Sequence, residues 1–358
     1  MYVKTFEEML DYVNTLTIHP TEKLMVLTAD KSADDVLKLI ALMNDQNISF
    51  FGGIFPALLV GSKTERHGFI IQKYQPLYCS IVLPYLMPFK RDPACLQDAT
   101  AIVLADGLSS QFKELTNTVY DKIGRNVKYI GGGAGFYDLK HKSCIYDNQG
   151  LHENVGYVCI VKNHLVLGVE HGWKELSGPY VITRSEGNVL MEIDQQNAFE
   201  FYKDVIESIE NIILSKEEFF SIAKEHPFGI DQEGHQDLFV RDPILVNEKD
   251  EIVCVANIPE GSNLYILKGS LFSLLESSIK IAEYCAKNAP PKYVPLLFDC
   301  ISRAMFLDEQ FDSELFNIQK LLDSTVEGAL SIGEIASRAN GKLIVHNKST
   351  ILGLLAIE

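Results

Sequence analysis

The sequence predicts an α/β fold of mixed β-sheets flanked by helices and built from repeated strand–helix–strand units. Three observations predict it. First, one pattern recurs three times: an apolar strand ending in a polar residue, a helix, and a second strand entering a glycine-containing bend. Second, short apolar runs separated by Asn, Gly and Pro indicate antiparallel strands between the second and third copies. Third, 358 residues exceed what one core usually serves, so we expect two subdomains.

The three copies of the pattern have the same order and similar spacing. Each contains a first strand, a helix and a second strand: 24–30, 33–45 and 49–55 in the first copy; 101–107, 111–123 and 127–135 in the second; 294–300, 311–323 and 326–334 in the third. Apolar residues three and four positions apart indicate the helices. Glycine in each bend allows the backbone to approach a ligand or another strand without an intervening side chain.

The chain changes character between the second and third copies. Residues 143–193 predict an antiparallel meander, and one apolar face predicts a helix over 197–214. Ser215 stands three residues before a glutamate, the spacing of a capping box that would start another helix over 216–225. We therefore predict an N-terminal domain of residues 1–215 and a C-terminal domain of residues 216–358.

The C-terminal part contains further strands and one long helix before the third copy. Strands are predicted near 238–246 and 252–256, and a helix near 270–287. The chain closes with two apolar runs, which predict a hairpin turned by Asn347 and Lys348.

Composition excludes several classes of function. The formal net charge of −16 argues against non-specific binding to nucleic acid phosphates. Seven cysteines, an odd number without a CxxC pair, indicate reduced thiols in an intracellular protein. The N-terminus does not have the pattern of a signal peptide, and the longest apolar run is too short to span a bilayer. We expect a cytoplasmic protein that does not bind membranes.

The sequence GGGAG, with Gly131, Gly132, Gly133 and Gly135, is the most conspicuous glycine bend. A dinucleotide-binding fingerprint would require GxGxxG to lead directly into a helix, whereas here the bend leads into a loop and a strand. The bend is therefore interpreted as lining a pocket or permitting close strand packing, with a phosphate loop as the less favoured alternative.

Cys300 lies where the first strand of the third copy meets its helix. The N-terminus of a helix lowers the pKa of a thiol, so a nucleophilic cysteine is one interpretation, with His346 as its distant base. A small, buried apolar side chain is the other interpretation. Both stay open at this point.

The nine histidines show no dense metal-binding signature, but one imidazole suffices as an axial haem ligand. His171 is the first candidate, because it ends a strand, precedes a glycine and lies two residues from Trp173, the only tryptophan. His235 is the second candidate. An ordinary polar residue at a turn is the alternative for His171.

Several segments together resemble the FIST family, named for F-box and intracellular signal transduction. They are GGGAG (131–135), HGW with the following run SGPYVITRSEGNVLMEID (171–194), FDCISR (298–303), Glu314, SIGEIA (331–336) and HNKST (346–350). The resemblance covers nearly the whole chain. One departure is the first glycine bend, GGIFPA (52–57), where family members commonly have a small-residue, STAGE-like turn.

The resemblance implies a non-enzymatic sensory protein that binds a small molecule, such as haem with nitric oxide or an amino-acid-like ligand. It implies a separate effector, such as a histidine kinase or a cyclic-dinucleotide enzyme, and a homodimer is compatible with it. An F-box adaptor role is not expected, because we find no room for an F-box ahead of the first repeat. The expected pocket residues are Gly131, Gly132, Gly133, Gly135, Arg303, Ser331, Glu334, His346 and Asn347. The rival hypothesis is a thiol-dependent hydrolase or transferase that uses Cys300 and His346.

Overall fold

The computed structural model describes residues 1–90, 96–231, 238–337 and 340–357. Its α-helices are α1 (Phe6–Thr15), α2 (Val36–Asp45), α3 (Phe112–Ile123), α4 (Ala198–Glu210), α5 (Phe219–Ala223), α6 (Leu271–Lys287), α7 (Ile301–Leu307) and α8 (Phe311–Gln319). Several begin at a capping side chain: Thr5 before α1, Asn197 before α4 and Ser270 before α6 each accept a backbone N–H hydrogen bond.

The strands of the first half are β1 (Tyr2–Val3), β2 (Lys23–Ala29), β3 (Phe50–Phe55), β4 (Leu58–Val60), β5 (Lys63–Glu65), β6 (Phe69–Tyr74), β7 (Pro76–Val82), β8 (Thr100–Asp106), β9 (Lys128–Ala134), β10 (Ile145–Asp147), β11 (Gly150–His152), β12 (Gly156–Val161) and β13 (Leu165–Glu170). Those of the second half are β14 (Lys174–Glu186), β15 (Val189–Ile193), β16 (Gln196–Asn197), β17 (Phe228–Ile230), β18 (Phe239–Arg241), β19 (Pro243–Val246), β20 (Ile252–Cys254), β21 (Asn263–Lys268), β22 (Tyr293–Cys300), β23 (Glu327–Ser331), β24 (Glu334–Ser337), β25 (Leu343–His346) and β26 (Thr350–Ala356).

Three six-stranded sheets share one plan. Each sheet contains the two parallel strands of one copy of the pattern, here called its first and second strands. The first strand is followed outward by a return strand and an edge strand, and the second strand is followed by a two-stranded hairpin. The strand orders are β1-β6-β2-β3-β10-β11 in the first sheet, β7-β12-β8-β9-β24-β25 in the second, and β13-β26-β22-β23-β4-β5 in the third. The first and second strands run parallel and are joined by helices, while the other neighbours are antiparallel. The predicted mixed α/β fold and its three strand–helix–strand copies are confirmed.

The hairpin of each sheet comes from a different unit of the chain. Strands β4 and β5 leave the first unit and join the third sheet, β10 and β11 leave the second unit for the first sheet, and β24 and β25 leave the third unit for the second sheet. After each hairpin the chain comes back to its own sheet as the return strand. The three units therefore interlock in a ring.

The recurring glycines have one shared structural reason. Gly52, Gly131 and Gly328 pair in register with Val26, Val103 and Leu297 of the neighbouring first strand. A Cβ atom on any of the three glycines would collide with the carbonyl oxygen of that paired residue. The glycines therefore permit close backbone approach within each parallel pair.

The predicted meander over 143–193 and the predicted C-terminal hairpin are both wrong, because successive strands join different sheets. The strands within residues 143–193 are distributed over four sheets and do not form one meander. The last two apolar runs do not pair with each other, since β25 pairs with β24 and β26 pairs with β22 and β13. Asn347 and Lys348 therefore connect the second sheet to the third instead of turning a hairpin. Successive strands look alike in sequence whether they stay in one sheet or move to the next.

The remaining strands form an inserted lobe between β13 and α6. Its eight-stranded sheet has the order β18-β17-β21-β14-β15-β20-β19, with β16 on β15, and α4 and α5 belong to the same stretch of chain. Ser215 Oγ accepts a hydrogen bond from Glu218 N at 3.2 Å, as a capping box would require, but Ser215 is not the N-cap of α5. The helix begins after Glu218, whose side chain makes no capping hydrogen bond, and it is shorter than the predicted 216–225.

Hydrogen-bonded pairing also crosses the predicted domain boundary at residue 215. The third sheet combines β4, β5 and β13 from before that point with β22, β23 and β26 from after it. Within the described parts of the chain, no helix combines the length and the apolar character needed to cross a membrane.

Candidate functional site

Buried polar side chains collect where the third unit, the second sheet and the inserted lobe meet. We call them the buried polar cluster; its members are Asp242, Asp299, Cys300, Arg303, Glu314, Ser331, Glu334, Asn347, Lys348, Ser349 and Thr350. Each is at most 4 % exposed. The parallel strands β22 and β23 end here, and the crossing from β25 to β26 passes through the same place. The interlocked topology therefore brings polar chain ends into the core.

Arg303 is a fully buried cation whose donors are taken up by the protein. Its Nε and Nη2 donate to the two carboxylate oxygens of Glu314, at 2.8 and 2.6 Å. Nη2 also donates to Ser277 Oγ at 2.9 Å and to the Leu274 carbonyl at 2.8 Å, and Nη1 donates to the His171 carbonyl. Burial alone would lower the pKa of Arg303, but the Glu314 carboxylate raises it above its ordinary value. Arg303 fixes α7 against α6 and α8.

Lys348 is the second buried cation and joins the third unit to the inserted lobe. Its Nζ lies 3.1 Å from Asp242 Oδ1 and donates to the Lys224 carbonyl and to Ser302 Oγ, both at 3.0 Å. It also lies 5.1 Å from the centroid of the Trp173 ring. Ser302 in turn donates to Asp242 Oδ2 at 2.6 Å. The Lys348–Asp242 ion pair therefore links the third unit to the inserted lobe.

Glu334 opens β24 with its carboxyl group completely buried. Ser331 Oγ donates to its Oε1 at 3.0 Å, the Ser349 amide donates to its Oε2 at 3.3 Å, and the Cys300 thiol is a further donor. Burial nevertheless raises the pKa of Glu334 to about 8, and these hydrogen bonds offset only part of that effect. At neutral pH the carboxyl group mostly keeps its proton.

Two further acceptors in the buried polar cluster are poorly satisfied. Asp299 Oδ1 is 3.9 Å from Arg303 Nε, too far for a hydrogen bond, while Oδ2 accepts from Thr350 Oγ1 at 3.1 Å. Burial, and next the Glu314 carboxylate, raise the pKa of Asp299 well above its usual range. Asn347 Oδ1 is buried without a hydrogen-bond donor among the described residues. Buried acceptors in this condition cost free energy and need a physical reason.

The buried polar cluster therefore holds more acceptors than cations. Among the residues that the structure describes, it contains four carboxyl groups, those of Asp242, Asp299, Glu314 and Glu334, and two basic side chains. Such a site can take up an additional donor-rich, positively charged group, or it can hold protons in its place.

A groove of about 450 Å³ lies beside the buried polar cluster, lined by Phe239, Arg241, Asn257 and strand β25 among others. The Phe239 ring stacks on the His346 ring, with centroids 6.3 Å apart and an interplanar angle of 21°. His346 pairs in register with Glu334 on the neighbouring strand. The Phe239–His346 stack thus connects the lining of the groove to the cross-strand neighbour of Glu334.

The FIST N domain matches residues 72–196, and the FIST C domain matches residues 198–337. The chain belongs to the FIST family. This confirms the resemblance seen in the sequence and supports a sensory role in signal transduction. No curated protein matches the chain in the comparison made. The two matched ranges meet inside the inserted lobe of the fold.

The FIST glycine bend GGGAG lies in the core beside this site. A Cβ on Gly132 would crowd the Ser331 side chain, and a Cβ on Gly133 would collide with the Ile332 backbone. Gly135 accommodates a φ of +158° against the Ile332 side chain. These contacts show glycine used for close packing between β9 and the bend of the third unit, which places Ser331 and Glu334.

Two histidines were expected to serve as haem ligands. His171 is half-buried, and its Nδ1 accepts a hydrogen bond from the Trp173 amide at 3.1 Å. The Trp173 ring is packed against Gly269, Phe306 and Lys348, and its Nε1 donates to the Lys348 carbonyl at 3.0 Å. The protein's own side chains therefore cover the Trp173 ring, which the sequence had suggested as a packing surface for a macrocycle. His235 lies outside the described residues.

Sequence reasoning named Arg303, Ser331, Glu334, His346 and Asn347, and the fold brings all five to one region. It missed Asp299, Asp242 and Lys348. Asp299 had a usable signal, because it interrupts an otherwise apolar strand at the end of 294–300. For Lys348 the local pattern was misleading, because a lysine between two strands is usually part of an exposed turn. Its signal was its position within the family segment HNKST (346–350).

Proposed function

We propose that this FIST protein is a cytoplasmic sensor that binds a small ligand carrying a protonated amine at the buried polar cluster. The observation that supports it is the excess of buried acceptors around Glu334, Asp299 and Asn347. An ammonium group supplies three hydrogen-bond donors and one positive charge, which matches that need. An amino-acid-like ligand is therefore favoured over an anionic one.

The ligand would reach the cluster through the groove that Phe239 and Arg241 line. The groove volume of about 450 Å³ is within the range of small-molecule sites. Entry requires the Phe239 ring to move from its stack on His346. Such a step is a conformational selection in which the open state is populated before binding.

Occupancy would be passed on through the charge pair between Lys348 and Asp242. Glu334 and Asp242 interact electrostatically, so a cation beside Glu334 changes the balance at Asp242 in the inserted lobe. The ligand then shifts the population of lobe positions, and a separate effector such as a histidine kinase or cyclic-dinucleotide enzyme reads the changed surface.

The decisive experiment is calorimetric titration of the full chain with the free amino acids, one at a time. We expect binding by at least one of them, abolished in Glu334→Gln and unchanged in Glu283→Gln on the exposed face of α6. Because Glu334 must release its proton to meet an ammonium group, affinity should rise as pH increases toward 8, by up to roughly tenfold per pH unit.

Two outcomes would count against the proposal. One is binding that Glu334→Gln leaves intact although circular dichroism shows both variants folded. The other is tight binding only by anionic or uncharged compounds, which would place the ligand in the groove alone. Titration in two buffers of different ionisation enthalpy provides an independent count of released protons.

We also propose that His171 does not serve as a haem ligand, and this has its own test. Protein mixed with haemin should show no Soret band that depends on His171, because the Trp173 ring is already covered. The measurement compares visible spectra of the wild type and His171→Ala. A shifted Soret band that is lost in His171→Ala would contradict this expectation. It would support the hypothesis that the protein senses through haem bound at His171.

We further propose that the chain is not a thiol enzyme. Burial, followed by the Glu334 and Asp242 charges, raises the pKa of the Cys300 thiol well above its ordinary value, so a thiolate is disfavoured. Iodoacetamide at neutral pH should therefore leave Cys300 unmodified in the native protein. Rapid, selective alkylation of Cys300 would support the hydrolase or transferase alternative.

A further inference from the structure

A pair of cysteines lies on neighbouring strands away from the buried polar cluster. Cys79 of β7 and Cys159 of β12 are directly opposite each other in the antiparallel register. Their sulfur atoms are 2.9 Å apart, and both are free thiols.

The positions of the two residues fit a disulfide. Directly opposed residues of antiparallel strands have Cα atoms about 4.5–5.5 Å apart, which lies inside the range that disulfides span. A sulfur separation of 2.9 Å needs to shorten by only about 0.9 Å to reach bonding distance. The register therefore places the two thiols within reach of a disulfide bond.

The two thiols differ in access to solvent. β7 is the outermost strand of the second sheet, and Cys79 is half-buried on it. Cys159 lies on the neighbouring strand β12 and is fully buried in the hydrophobic core. Because Cys79 is the more accessible thiol, we expect it to react first with an oxidant. Cys159 would then react with the oxidised Cys79 to form the disulfide.

We propose that Cys79 and Cys159 form a redox-active pair that closes to a disulfide on exposure to a peroxide and reopens with a dithiol reductant. Cys79 sulfur attacks the peroxide O–O bond, giving a sulfenic acid and, from hydrogen peroxide, one water. Cys159 sulfur then attacks the Cys79 sulfur, and the displaced hydroxide takes the Cys159 proton and leaves as a second water. The two thiols are oxidised by two electrons and the peroxide is reduced by two.

The test is peptide mapping of the native full chain before and after hydrogen peroxide, without reduction. Trypsin should release a cross-linked pair, residues 74–90 joined to residues 143–162, lighter by two hydrogens than the separate peptides. Because 143–162 also contains Cys144, the variant Cys144→Ser is the matched control and should keep the cross-link. Dithiothreitol should restore both thiols.

Single variants separate the two roles. Cys79→Ser should abolish the cross-link, while Cys159→Ser should leave Cys79 as a sulfenic acid that dimedone traps. Amide hydrogen exchange in β7 should slow on oxidation, since the bond ties the edge strand to β12. Peroxide treatment that gives no 79–159 link, or a link through Cys144, overturns the proposal. Because Cys79 lies on the edge strand, its variant remains testable even if Cys159→Ser fails to fold.

Discussion

The burial of Glu334 makes the free energy of unfolding depend on pH. Its pKa of about 8 in the folded protein lies above the ordinary value of 4.5, because burial disfavours the charged form. Between those two values the native state holds a proton that the unfolded chain has lost. The free energy of unfolding contributed by this group is therefore complete below pH 4.5 and decreases as pH rises through 8, by up to about 1.4 kcal/mol per pH unit.

We predict that Glu334→Gln removes this part of the pH dependence. Urea unfolding curves, measured at intervals between pH 4.5 and 8, should give a smaller negative slope in the variant than in the wild type. Some slope should persist, because the pKa of Asp299 is raised in the same direction. Glu283→Gln, on the exposed face of α6, serves as the control and should keep the full slope. Equal slopes in the wild type and Glu334→Gln would show that the carboxyl group is ionised in the folded state.

The glycines of the parallel pairs let neighbouring strands approach closely. A methyl group at Gly131 meets the Val103 carbonyl oxygen of the paired strand, so Gly131→Ala should lower the free energy of unfolding by roughly 1–3 kcal/mol or more. Gly156 of β12 is the matched control. A Cβ there would meet its nearest atom, Leu104 O, at 3.4 Å, and the change should stay below about 1 kcal/mol. Urea denaturation of both variants decides the comparison, and equal costs would contradict the close-approach explanation.

The sequence predicts the positions of some strands and helices better than those of others. The parallel pairs could be predicted, because an apolar strand, a helix and a glycine-containing strand indicate a crossover unit on their own. The exchanged hairpins could not. Strands such as β4 and β10 are three residues long, and nothing in them specifies that they join the sheet of another unit. For the same reason Asn347 was predicted to lie in a hairpin turn, whereas it is buried in the connection between two sheets.

Two deletions test whether the interlocked ring of three units stabilises the whole molecule. Lys174 and Lys268 are directly paired neighbours at the base of the inserted lobe. Residues 175–267 can therefore be replaced by a two-residue Asn-Gly turn without stretching the chain. The three units pair with one another through β-strands outside the lobe. We expect the shortened chain to keep their sheets and one cooperative unfolding transition, at reduced stability because Lys348 loses Asp242.

Deletion of the much shorter hairpin 145–152 should be more damaging. That hairpin is the second unit's contribution to the first sheet, and its loss opens the ring and exposes the edge of β3. We expect this variant to lose cooperative unfolding and to be cleaved readily by protease, whereas the lobe deletion resists. Thermal unfolding followed by circular dichroism, with limited proteolysis, measures both. If the hairpin deletion unfolds cooperatively while the lobe deletion does not, stability resides in the lobe and the ring is secondary.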